Sequence, residues 1–149
     1  MDPQISARFS LQGRFEPDDV TRQIGLQPTR IWRRGDMRTR VRAWESDGWA
    51  IHLDPEDSVD LPGMTARLVA ILEPRVDAIN VARERWALSS HLGLIALTTD
   101  TSPIIHFVPD VLSVLVSLGI ELDVDVWLLR ENADEQVVTF GADAQPPTA

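Results

Sequence analysis

A mixed α+β domain built on one sheet is the fold class this sequence predicts. Three observations carry that prediction: strand-period alternation near both ends of the chain, helical apolar stripes between, and Pro and Gly residues that punctuate them. Ile5, Ala7, Phe9 and Leu11 alternate with Ser6, Arg8, Ser10 and Gln12, the pattern of a strand with one buried face. Phe15-Glu16-Pro17-Asp18 then opens a helix, because proline is tolerated in the first turn and acids suit its positive end. Val20 and Ile24 share a face of it, and Gly25 is placed to stop it. Residues 27–47 are irregular and predict a long loop. Trp49, Ile51 and Leu53 alternate as a second strand, and Leu61, Met64, Leu68, Ile71 and Leu72 trace a helical stripe that Pro74 breaks. A further helix over 75–84 leads into a strand predicted to run from Trp86 to about Thr98.

Phe107-Val108-Pro109-Asp110 repeats the Phe-x-Pro-Asp opening, and its helix likewise ends at a glycine, Gly119, before a strand from Ile120. The chain therefore reads as two related strand–helix units. The second helix is apolar nearly all round (Val111, Leu112, Val114, Leu115, Val116, Leu118), which predicts burial on more than one side, either centrally or against a second copy in a homodimer. Val137, Val138 and Phe140 suggest a short edge strand. The expected architecture is an antiparallel or mixed sheet of about four to five strands with helices on one face, ferredoxin-like in arrangement. The other face would display Arg8, His52, His91, Asp123 and Asp125. A single domain over residues 1–142 accounts for every element, with a disordered tail over 143–149.

Composition narrows the function classes. The chain has 149 residues, 44% of them hydrophobic, and no cysteine, so disulfides, thiolate nucleophiles and cysteine-ligated metals are excluded. The opening Met1-Asp2-Pro3-Gln4 reads as no signal peptide, and the apolar run Val111 to Ile120 is too short to span a bilayer; the expectation is a cytoplasmic protein without membrane contact. Fourteen basic residues, all arginine, stand against 23 acidic ones, and the net charge of −9 argues against general nucleic-acid binding and for a basic partner.

Against that acidic background, residues 30–42 hold six of the arginines and one acid, a local charge of +5 that leaves −14 elsewhere. Arg30, Arg33, Arg34 and Arg38, with Asp36 and the indoles of Trp32, Trp44 and Trp49, form a candidate anion or nucleotide contact, because guanidinium forks suit phosphate and carboxylate and indoles can stack. The competing reading is charge compensation, with these arginines lying on Glu121, Asp123 and Asp125 of the last strand. Asp123 and Asp125 recur on one strand face and are candidate contacts too, against the plainer reading of a solvated face opposite Leu122, Val124 and Val126. His52, His91 and His106 lack metal-ligand spacing, and no nucleophile elbow or phosphate loop occurs, so neither metal, cofactor nor catalytic set is expected.

Several ordered motifs remain: Phe15-Glu16-Pro17-Asp18-Asp19-Val20-Thr21, Ile24-Gly25-Leu26-Gln27-Pro28-Thr29, Trp32-Arg33-Arg34-Gly35-Asp36, Gly48-Trp49 and Leu118-Gly119-Ile120-Glu121-Leu122-Asp123-Val124-Asp125. In this order the chain resembles the uncharacterised, largely bacterial family called domain of unknown function 4279, over about Ile5 to Leu128. The resemblance implies a small stand-alone domain without an established catalytic set. Taken together, the residues predict a non-enzymatic protein-binding module, an inhibitor or immunity-type protein being the first expectation. The alternative is a binder of an anionic small molecule or nucleotide through residues 30–44.

Overall fold

The computed structural model describes residues 2–129 and the backbone of 138–139. Its strands are β1 (Gln4–Gly13), β2 (Arg30–Trp32), β3 (Asp47–Asp57), β4 (Ser89–Thr98), β5 (Ile120–Leu128) and β6 (Val138–Thr139). They form one mixed sheet in the order β2-β3-β1-β4-β5-β6, antiparallel throughout except for the parallel β4–β5 pair. Four helices accompany it: α1 (Pro17–Ile24), α2 (Leu61–Leu72), α3 (Val76–Trp86) and α4 (Pro109–Ser117).

The predicted α+β class, with helices over one sheet face, is observed. Phe9 and Leu11 of β1, Leu92 and Leu94 of β4, Ile24 of α1, Met64 and Leu68 of α2, Ile79 of α3 and Leu115 of α4 meet in one core from which water is excluded. Both strand–helix units are present. Pro17 and Pro109 start their helices, and Gly25 (φ 75°) and Gly119 (φ 60°) follow them in the left-handed conformation that glycine adopts cheaply. The units differ in how the chain returns. After α1 it comes back as β2, parallel to β1 but with β3 between them, whereas α4 crosses between the adjacent parallel strands β4 and β5. The order β2-β3-β1-β4, antiparallel throughout and with helices between β1 and β2 and between β3 and β4, is the expected ferredoxin-like arrangement, here extended at one edge by β5 and β6.

Three expectations need correction. Residues 27–47 are not all loop, because Arg30–Trp32 pairs with Trp49 and its neighbours as β2. Trp86 belongs to the end of α3 rather than to the following strand: the helix runs on past Glu84 to a left-handed stop at Ala87 (φ 52°), and β4 begins at Ser89. Pro74 breaks the helical run as expected, by a 3-10 turn over Glu73–Arg75. The all-round apolar α4 is covered on one side only: Leu115 is buried, while Leu112 and Val116 are exposed, Val116 by 79%. The expected edge strand is β6 at Val138–Thr139; Val137, Phe140 and the tail over 143–149 lie outside the described residues. No described helix is long and apolar enough to cross a membrane.

Candidate functional site

The strand period that sends Phe9 and Leu11 into the core sends Arg8, Ser10 and Gln12 to the opposite face, and the ladder registers decide what lies beside them. Across the middle of that open face one row reads His52, Arg8, Gly93, Asp123. The row above it reads Arg30, Ala50, Ser10, His91, Glu121, and the row below holds Ser6, Ile95 and Asp125. The face predicted to display Arg8, His52, His91, Asp123 and Asp125 thus assembles as a cationic side over β1–β3 and an acidic side over β5. Gly93 separates them, and among the described residues no atom lies within 4 Å of where its Cβ would stand.

A second, smaller apolar cluster walls the cationic side. Trp32 lies against Gly48, which has no side chain to hold it off: a Cβ there would come within 1.8 Å of Trp32 Cε2. Trp44 stacks on Trp32 with ring centroids 4.2 Å apart and planes inclined by 21°, and both indoles are buried together with Ala50. The segment between them doubles back on itself. Gly35 N–H donates to Trp44 O at 2.9 Å, Trp44 N–H to Asp36 O at 2.8 Å and Arg38 N–H to Arg42 O at 2.8 Å. The Arg30 guanidinium sits 6.0 Å from the Trp32 ring centroid and that of Arg38 4.8 Å from Trp44, cation–π contacts that hold both charges at the edge of the open face.

Electrostatics there are unbalanced. Arg8 is half-buried, and its guanidinium is held below the ordinary arginine value first by burial, then by Arg38 and Arg30; Asp123 and Asp125 act in the opposite sense. His52 is pushed from 6.5 down to about 4 by burial, then by Arg8 and Arg30, so it is neutral at pH 7. Asp125 is raised, by burial first and Asp123 second. Arg8 makes no ion pair within 4 Å to a described acid, whereas Glu121 faces His91 at 3.3 Å. The buried Nε1 of Trp32 and Nε2 of His52 find no hydrogen-bond partner among the described residues, a condition that costs about 1–3 kcal/mol per group.

The remaining predicted residues fall elsewhere. Arg33 is compensated by Glu16 through a two-pronged contact (3.1 and 2.8 Å), not by the last strand. Asp36 accepts the Arg33 N–H at 2.8 Å, and Asp47 accepts the N–H groups of Arg34 at 3.0 Å and Phe15 at 3.1 Å, so these residues fasten the segment down. Trp49 is corrected: it points to the helix side, fully buried, edge-on to Phe9, its indole N–H donating to Thr21 Oγ1 at 3.0 Å, and no ligand reaches it. Arg8 and Gly93 were missed as partners of Arg30 and Arg38. Strand alternation had placed Arg8 on the open face, but only the register puts it beside them. Among the described residues no three His, Asp or Glu side chains cluster as a metal site.

Fold and face together define a small single-sheet α+β domain with a helix-covered side and an open, charge-divided side. Residues 3–129 match the family described as domain of unknown function (DUF4279), and the chain belongs to that family. Comparison with curated proteins and with solved structures finds no match.

Proposed function

We propose that this chain is a binding module rather than an enzyme, and that it holds the anionic group of its ligand on the open face at Arg8, flanked by Arg30 and Arg38. The observation that carries the reading is the half-buried Arg8, crowded by two like charges, with no described counter-ion within 4 Å. A carboxylate or phosphate there relieves the repulsion and accepts charge-assisted hydrogen bonds. Base stacking is not favoured, since each indole already faces the other and an arginine. No general base, nucleophile and acid converge on this face. The absence of cysteine suits a reducing compartment such as the cytoplasm.

Titration calorimetry with inorganic phosphate and with butanoate tests the reading. Binding of either that Arg8→Gln weakens at least tenfold and Arg33→Ala leaves unchanged supports it. Silence with both anions, or equal losses in the two variants, overturns it.

A second reading, engagement of another protein or of a second copy of this chain, is favoured by a different observation. Val108, Leu112 and Val116 form one exposed stripe along α4, and Leu122 is exposed on the adjoining strand β5. Leu112→Glu with Val116→Glu should abolish such an association. Light scattering that gives a monomer of 16.7 kDa before and after the change would remove the homodimer.

A further inference from the structure

Arg8 and Asp123 are both opposite Gly93, so two strand spacings, about 10 Å, separate their backbones. Between them the floor is bare at Gly93, and beside Gly93 on the same face the half-buried Ile95 stands between Ser6 and Asp125. This strip of the sheet therefore has guanidinium groups on one side, carboxylates on the other and an apolar patch between them. Glu121 is engaged by His91, which leaves Asp123 and Asp125 as the acids beside that strip. Charges on edge strands commonly serve only to blunt strand pairing, and that role would explain acids anywhere along β5. It does not explain why the acids stand across a side-chain-free position from a crowded arginine.

From this juxtaposition we infer that the ligand is a small zwitterion, an ω-amino acid in chemical class, its carboxylate on Arg8, its methylenes over Gly93 and Ile95, and its ammonium between Asp123 and Asp125. The inference rests on the anion-binding reading above and adds the cationic end and the chain length. Each ligand charge replaces a long-range attraction between Arg8 and the two aspartates with a direct contact. The raised Asp125 carboxylate is relieved by an adjacent ammonium in the same way that Arg8 is relieved by an anion.

Calorimetry on the full chain with 4-aminobutanoate, 6-aminohexanoate, butanoate and butylammonium reads out the claim. At least one amino acid should bind at least tenfold more tightly than butanoate. Asp123→Asn with Asp125→Asn should erase that advantage without weakening butanoate binding, since removing two carboxylates near Arg8 only lessens the repulsion of an anion there. Gly93→Val, which puts methyl groups on the floor, should weaken every carboxylate probe. Equal affinity for butanoate and both amino acids, or an advantage that survives in the double asparagine variant, overturns the zwitterion and leaves the anion site standing. Loss of all binding, phosphate included, removes both.

Discussion

The two faces of this sheet are built from alternate residues of the same strands, yet they obey different rules. On the helix side Phe9, Leu11, Leu92 and Leu94 are fully buried, and the burial of each explains its presence. On the open side Arg8 and His52 are half-buried without the compensation that normally accompanies buried polar groups, and Trp32 leaves its indole N–H unsatisfied. Stability accounts for the first set. The second set costs stability, which is the usual mark of residues kept for contact with something else.

The contrast is sharpest at adjacent residues. Phe9→Ala should lower stability by about 3–5 kcal/mol, the range for emptying a buried phenyl site. Arg8→Gln, one position away and on the other face, should leave the urea midpoint unchanged or raise it, since it removes a desolvated charge beside two like charges. A large loss from Arg8→Gln would break the comparison. Gly48→Ala comes next: its methyl group must displace the Trp32 ring, at about 1–3 kcal/mol for overpacking, and red-shifted tryptophan fluorescence should report the unseated stack.

A smaller, pH-dependent effect belongs to His52. Its folded value of about 4 lies below its ordinary 6.5, so the unfolded chain takes up the proton first. The stability it preserves is complete above pH 6.5 and declines as pH falls toward 4; His52→Asn should flatten that part of the curve in urea titrations compared between pH 7 and pH 5. Smallest of all is Arg33→Ala, whose exposed pair with Glu16 should leave the melting temperature unmoved.

Much of this was legible in the chain. Period-two alternation in β1 and β5 gave both faces, and the Phe-x-Pro-Asp repeats gave both helix starts, because these signals are local. What escaped was set by distant partners. β2 is three residues long, only Trp32 of them is buried, and its pairing with β3 depends on a segment some twenty residues away. The strand alternation put Trp49 on the core side, yet its proximity to the arginines suggested a contact that the sheet itself blocks. Arg8 was placed on the correct face, but its nearness to Arg30 and Arg38 required the strand order and the folded-back segment over 33–46. The apolar composition of α4 predicted burial; its position beside β5 at one end of the helix layer leaves a stripe of it in water.

One titration bears on the central claim most directly: adding inorganic phosphate and butanoate to isotope-labelled protein while following backbone amide and arginine side-chain signals by NMR. The account predicts saturable shifts concentrated at Arg8, Arg30, His52 and Gly93, with Arg33, Arg34 and Arg40 still. Shifts centred on those three outer arginines, or none on the open face, would contradict it.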